Sequence, residues 1–257
     1  METKQEGGII LVTGATSGFG EAIARKFAAQ GWNVIISGRR RDRLDALARE
    51  LDGLHGPVTH ALRMDVRDRA EVERAIGSLP PQWSSIDVLV NNAGLASGLA
   101  PIQEGDPADW DVMIDTNVKG LLYVTHAVVP GMVARGKGHI INIGSTAGKD
   151  VYPKGNVYAA TKFAVDALTK AMRVDLVEAG IKVTQVAPGA AETEFSEVRF
   201  HGDKARAKQT YAGFEPLKAE DVAGIVHFAA TLPPHVCIND VTVTATAQAN
   251  NTTIVRR

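Results

Sequence analysis

Tyr158 and Lys162 stand four residues apart, and Ser145 lies thirteen residues before the tyrosine. Residues 156–170 are rich in alanine and poor in breakers, which predicts a helix. On a helix, positions four apart share one face, so the phenol would stand beside the ammonium. A free phenol has a pKa of about 10 and exchanges protons poorly at neutral pH. A nearby cation favours the phenolate and lowers that value. Bringing it to about 7 takes roughly 4 kcal/mol of differential stabilisation, which one close cation plus a charged cofactor could supply. The chemistry implied is proton transfer. Taken alone, the Y-x-x-x-K spacing is common by chance and usually marks a solvated helix face. The rest of the chain has to decide.

What surrounds this pair is an ordinary globular composition. The 257 residues are 45% hydrophobic and 22% charged, with a formal net charge of −1. That length suits one α/β domain with a substantial core. The charge gives no basic field for nucleic acid or for an anionic membrane. Cys237 is the single cysteine, which leaves no disulfide framework and fits a reducing, cytoplasmic setting. The seven histidines are scattered, without the spacing of a metal site. No apolar run has the length to span a bilayer. The first seven residues are short and polar, with no apolar signal region.

Short apolar strands alternate with longer helical patterns along the chain. Strands are predicted at 8–13, 33–37, 58–64, 86–90, 139–143, 182–186 and 241–246. Helices are predicted at 21–30, 42–51, 69–78, 108–134, 156–170 and 219–231. That alternation predicts a single-domain, Rossmann-type doubly wound parallel sheet with helices on both faces. Ligands bind such sheets at the carboxyl ends of the strands. Gly14 to Gly20, Arg39, Asp65, Asn92 to Gly94, Ser145 and Pro188-Gly189 all fall just after a predicted strand.

The stretch Gly14, Ala15, Thr16, Ser17, Gly18, Phe19, Gly20 carries phosphate chemistry. Glycine permits a tight turn and close backbone approach, and the helix that follows offers its positive end to a pyrophosphate. The order is G-x-x-x-G-x-G rather than the usual dinucleotide G-x-G-x-x-G. The second strand chooses the dinucleotide. An acidic residue at its end would take the ribose hydroxyls of NAD, whereas arginine accommodates the 2′-phosphate of NADP. This chain has Arg39 and Arg40 there, with Ser17 as a further donor, and guanidinium matches phosphate in bidentate fashion. The competing reading is a solvated basic face at the start of a helix.

Together, residues 13–20, Asn91 to Gly94, Asn117, Ser145, Tyr158, Lys162 and Pro188-Gly189 resemble the short-chain dehydrogenase/reductase family. The resemblance runs from Ile9 to about Asn239. Residues 140–148, 155–158 and 193–200 are similar to its NADP-dependent 3-hydroxy acid dehydrogenases. Members of that group act on serine, allo-threonine and 3-hydroxypropionate or reduce malonic semialdehyde, and are typically homotetramers; related enzymes reduce sulfoacetaldehyde.

The resemblance implies roles. Tyr158 is the expected general acid/base, Lys162 lowers its pKa and binds the nicotinamide ribose, and Ser145 hydrogen-bonds the substrate oxygen. Asn117 is expected to hold a relay water. Asp65, with Val66 beside it, is expected at the adenine. Asn92, Ala93 and Gly94 would line the cofactor, and residues 188–196, with Pro188, Gly189, Ala191 and Thr193, would cover the nicotinamide.

Two departures touch the substrate pocket. Ala191 stands where many members have a branched residue, and Lys149-Asp150-Val151 follows Ala147-Gly148 where a bulky aromatic lining is expected, though Tyr152 is near. Residues 190–214 are charged and weakly periodic, which suits a substrate lid. In that lid Arg199 is the candidate partner for a substrate carboxylate or sulfonate, against the plainer reading of an exposed helix arginine. The tail, residues 247–257, is polar and is either loose or reaches a neighbouring subunit. Three functions are open: an NADP-dependent oxidoreductase of small 3-hydroxy acids or their semialdehydes, a reductase of sulfoacetaldehyde or broader carbonyls, and a non-catalytic NADP sensor.

Overall fold

The computed structural model describes residues 7–53 and 58–257; residues 1–6, where the polar start of the chain was read, lie outside them. Seven strands form one sheet: β1 (Ile9–Val12), β2 (Asn33–Gly38), β3 (Thr59–Arg63), β4 (Ile86–Asn91), β5 (Gly138–Ile143), β6 (Ile181–Pro188) and β7 (Asp240–Val243). Their order is β3-β2-β1-β4-β5-β6-β7, and every neighbouring pair is parallel. The order reverses beside β1, whose two neighbours are β2 and β4, and a crevice opens there at the carboxyl ends. The doubly wound sheet expected from the alternation is the fold.

Side chains on a strand point to opposite faces in turn, so residues along β1 and β2 divide between two cores. Ile10, Val12, Val34 and Ile36 pack with α1 (Gly18–Ala28), α2 (Arg41–Asp52) and α9 (Ala219–Ala230) through Phe27, Leu44, Leu51, Val222 and Val226. Leu11, Ile35, Leu89 and Ile140 pack on the other face with Val72 of α3 (Arg69–Gly77), Val124 and Met132 of α5 (Leu121–Arg135), and Val165 of α6 (Asn156–Leu176). Each such burial stabilises by about 1.5–3 kcal/mol. Strands buried on both faces read as nearly continuous apolar runs, which is why the sequence shows them so clearly.

The helix expected at 108–134 is interrupted. α4 (Pro107–Ile114) passes through a π-helical segment, Asp115–Gly120, before α5 begins, and Asn117 sits in that segment. Such wide turns recur at functional sites. Under the strand ends, Asn91 Nδ2 donates to Thr125 Oγ1 and Asn142 Oδ1, both at 2.9 Å, and Asn142 Nδ2 donates to Thr169 Oγ1 at 2.9 Å. These buried bonds pin α5 and α6 to β4 and β5. Leaving one donor there unpaired would cost about 1–3 kcal/mol.

Two short helices, α7 (Phe195–Arg199) and α8 (Lys204–Gln209), make up the region between β6 and α9. Among the described residues, no helix is long and apolar enough to cross a membrane, and no group of three His, Cys, Asp or Glu side chains could hold a metal ion.

Candidate active site

β1 ends at a turn that only glycine enters without strain. Gly14 has φ +65°, and a Cβ there would lie 2.9 Å from the Ala93 Cα. Gly20, in the first turns of α1, faces the Gly14 carbonyl and the Asn92 amide so closely that a Cβ would collide with both. Asn92 ties the loop to the end of β4: its Nδ2 donates to Thr13 O at 2.8 Å and Gly14 O at 3.2 Å. The Thr13 hydroxyl in turn accepts from the Asn92 and Ala93 amides at 3.0 Å. Ala15, fully buried, donates its amide to Ser37 O at 2.9 Å.

A cavity of about 280 Å³ runs along these strand ends, lined by Gly14, Thr16 to Phe19, Arg39, Arg40, Asp65, Val66, Asn92 to Gly94, Thr193, Tyr158 and Lys162. Its features fit a dinucleotide. Ser17 at the N-cap of α1 makes no side-chain capping bond, which leaves the amide donors of the first turn to a ligand. The buried Thr116 hydroxyl, also on the cavity wall, has no hydrogen-bond partner among the described residues. Arg40 lies over the loop, donating from Nη2 to Thr16 Oγ1 at 2.8 Å and Ser17 Oγ at 2.9 Å. Arg39 lines the same end, exposed, and among the described residues no carboxylate pairs with it.

α6 carries Tyr158 and Lys162 on one face, as the spacing predicted, and both are buried. Lys162 Nζ sits 5.9 Å from the centre of the Tyr158 ring and donates to Ile143 O at 2.9 Å. The expectation of a lowered phenol pKa is not met in the protein by itself. Burial, with Tyr152 nearby, pushes the Tyr158 phenol above its ordinary value, against the opposing hydrogen bond with Ser145 and the charge of Arg199. The lysine moves instead: burial brings the Lys162 ammonium down from 10.5 to about 8. The physical reason is that desolvation penalises both charged forms, and the lysine's hydrogen bond goes to a carbonyl rather than to the phenol.

Asn117 is buried and holds the turn after β4, its Oδ1 accepting from the Leu95 amide and its Nδ2 donating to Leu95 O, both at 2.8 Å. It also donates to Thr161 Oγ1 on α6 at 3.0 Å. Gly94 lies against both Asn117 and Lys162, since a Cβ there would be 3.2 Å from Asn117 Oδ1 and 3.7 Å from Lys162 Nζ.

The region 190–214 closes over the site from two sides. Glu194 takes Arg40 Nη1 at 3.0 Å and Arg43 Nη1 at 2.6 Å, across the glycine loop. At the other end Arg199 O accepts from the Gly98 amide at 2.9 Å, and His201 Nε2 meets Asp109 Oδ2 at 3.3 Å. Exposed ion pairs contribute only about 0.2–1 kcal/mol each, so these latches yield readily. Phe195 packs edge-on against Tyr158 with ring centres 5.5 Å apart. Arg199 is half-buried rather than splayed into solvent; its Cζ lies 5.8 Å from the Tyr158 ring, and Nη2 donates to the Tyr152 hydroxyl at 2.8 Å. Among the described residues no carboxylate pairs with it. Arg199→Ala is expected to raise KM about tenfold or more for an acidic aldehyde and to spare a neutral one, read by steady-state kinetics.

The sequence pattern of the short chain dehydrogenase family matches residues 8–204. The chain belongs to that family. Its relatives include the NADP-dependent 3-hydroxy acid dehydrogenase YdfG of Salmonella typhi, 52% identical over 242 residues, which cover 94% of this chain and 96% of the relative. Sulfoacetaldehyde reductase 2 of Chromohalobacter salexigens is 49% identical over 242 residues, covering 94% and 95%. Among solved structures, the closed form of serine dehydrogenase complexed with NADP+ superposes with a TM-score of 0.92 at 49% identity, covering 97% of this chain and 99% of that one.

In this short chain dehydrogenase the cavity wall unites the glycine loop, the two arginines, Asp65, Asn92 to Gly94, Thr193 and the Tyr158–Lys162 pair. Ala15, Gly20, Asn117, Ser145, Pro188, Gly189 and Ala191 do not line it; the Ser145 hydroxyl accepts from the Ala147 amide at 3.1 Å. Gly189 donates to Val243 O, and Ala191 is buried in a bridge to Leu217. Asp65 is engaged by Arg67, with Nη2 at 2.6 Å; burial acts to raise its pKa, but the Arg67 bonds win and it lies below the usual range. The departure at Lys149 does not reach the pocket, because that ammonium turns to Asp166 and Asp240. Tyr152 packs with Tyr158, Ala96 and Met113 and does not line the cavity. Arg67 and Thr116 line the cavity and were not foreseen from the sequence, nor was Arg43, which pairs with Glu194. The signal of the two arginines was charge, which single sequences place on any solvated helix, and a lone threonine in a helical stretch gives none.

Proposed function

We propose that this protein is an NADP-dependent oxidoreductase that interconverts a small 3-hydroxy acid and its semialdehyde, of the serine, allo-threonine or 3-hydroxypropionate type. The observation that carries the reading is one crevice lined by Tyr158 and Lys162 and by Arg39 and Arg40, with Ser145 hydrogen-bonded to the phenol. When bound, NADP supplies or accepts the hydride. The chain does the rest. The glycine loop and the N-terminus of α1 hold phosphates, and Arg39 and Arg40 take the 2′-phosphate. Asp65 and Val66 stand at the adenine end. The Ser145 hydroxyl holds the substrate oxygen, and the Tyr158 hydroxyl gives it a proton in reduction and takes one back in oxidation. Lys162 orients the ribose and keeps a positive charge near the phenol. Asn117 holds the turn behind Lys162 and the water that relays the proton.

Sulfoacetaldehyde is the second reading, favoured by the half-buried Arg199 beside Tyr158 and by relatives at 49% and 47% identity that bear that reductase name. A panel followed by NADPH absorbance separates them: malonic semialdehyde, sulfoacetaldehyde and a neutral aldehyde of equal length, with serine and 3-hydroxypropionate in the oxidative direction. Turnover of the carboxylate pair above the sulfonate supports the first reading. No turnover with any of them would leave the sensor. We further propose a cytoplasmic homotetramer. Exposed apolar side chains on α5 and α6, Leu122, Val133, Phe163, Val174 and Val177, support association; a monomer in size-exclusion with light scattering would refute it.

A further inference from the structure

The C-terminal residues fold back onto the site. Ala249 N donates to Thr253 O at 3.0 Å and Val255 N to Ala247 O at 2.9 Å, with Gln248 and Ile254 bridged antiparallel, so residues 247–255 form a tight hairpin. Asn250 Oδ1 shapes its tip by accepting from the Thr252 and Thr253 amides at 2.9 and 2.7 Å. Three side chains then reach the segments around the active site. Gln248 Oε1 accepts from the Ala190 amide at 2.8 Å, just past Pro188-Gly189. Arg256 donates to Thr210 O at 3.1 Å and lies over the Phe214 ring, which fixes the end of the lid. Asn251 takes the third segment: its Oδ1 accepts from the Thr146 hydroxyl at 2.6 Å, and its Nδ2 donates to Thr146 O at 2.9 Å and Asp150 O at 2.8 Å.

Thr146 follows Ser145 directly and opens the short 3-10 turn Thr146–Gly148. From the other side that turn is held by Lys149, paired with Asp166 and with Asp240 at 2.6 Å. The serine therefore stands on a turn clamped at both flanks, once by an ion cluster and once by an amide from the far end of the chain. Nothing in the turn's own residues provides the second clamp.

We propose that Asn251 is a positioning residue that fixes the Ser145 hydroxyl through the Thr146 turn, so that the C-terminal hairpin belongs to the active site. This rests on the reading of Ser145 as the group that holds the substrate oxygen. Displacing a catalytic group by about 1 Å can cost about 10²-fold in rate. Contacts from Asn251 go to the serine turn and none goes to the glycine loop, so the effect falls on turnover rather than on cofactor affinity.

The test uses the full chain, with steady-state kinetics on the preferred carbonyl and a fluorescence titration of NADPH. Asn251→Ala is expected to lower kcat about tenfold or more with the NADPH Kd unchanged. Thr146→Val breaks the same contact from the other side and is expected to lower kcat likewise. The double variant loses no more than Asn251→Ala alone, because that variant already removes the hydrogen bond that Thr146→Val breaks. Three outcomes would overturn the proposal: kcat within twofold of wild type in Asn251→Ala, losses that multiply in the double variant, or NADPH affinity falling in step with kcat. Ser145→Ala, assayed in parallel, tests the reading beneath; full activity there removes that reading whatever Asn251 does.

Discussion

Tyr158→Phe is expected to lower kcat by about 10³-fold in both directions while the NADPH Kd stays within about twofold of wild type. The substitution removes one oxygen from a buried ring that keeps its packing against Phe195 and Ala96, so the fold is retained. What it removes is the hydroxyl that the proposed mechanism uses to exchange a proton beside Lys162. The pH dependence has a definite sign. Burial keeps the phenol protonated through the neutral range, which suits proton donation in reduction. The lowered value at Lys162, about 8, means that its positive charge is present below that pH and lost above it. Reductive kcat/KM for NADPH, which reports the free enzyme, is therefore expected to fall as pH rises through about 8. A flat profile to pH 10 would show that the charge on Lys162 has no part in cofactor capture.

The second large effect concerns which dinucleotide the crevice accepts. Arg39→Ala combined with Arg40→Ala is expected to reduce kcat/KM for NADPH by roughly 100-fold or more and to leave NADH within about threefold. Hydrogen bonds to a charged group contribute about 1.5–3 kcal/mol each, and about 1.4 kcal/mol is tenfold. Arg40 has internal partners in Thr16, Ser17 and Glu194, whereas Arg39 has no acid among the described residues, so Arg39→Ala alone should disturb the fold least. Equal losses with NADPH and NADH would show that the pair shapes the loop rather than reading the phosphate.

Most of the fold was legible because its strands are buried on both faces. β1, β2 and β4 read as apolar runs that end at Gly, Asn or Ser, and the helices between them carry regular periodicity. The observed ends of the seven strands fall close to the expected ones, although β7 stops at Val243 and α1 starts at Gly18, inside the glycine motif. The π-helical segment at Asn117 was not legible, since a wide turn keeps the composition of the helix around it. The region 190–214 was visible as a charged, weakly periodic stretch, but its two short helices and their hydrogen bonds and ion pairs were not.

Local patterns determined the strand order's ingredients, the glycine loop, the arginines at the end of β2 and the shared face of Tyr158 and Lys162. All of these depend on spacings of a few residues, and backbone geometry converts such spacings directly into direction. The tertiary structure decided what depends on residues far apart in the chain. Glu194 meets Arg40 across 154 positions, and Asn251 meets Thr146 across 105. It also decided the state of the Tyr158–Lys162 pair. A cation four residues from a phenol implies a lowered phenol pKa, but desolvation depends on everything packed around them. In this fold it raises the tyrosine and lowers the lysine.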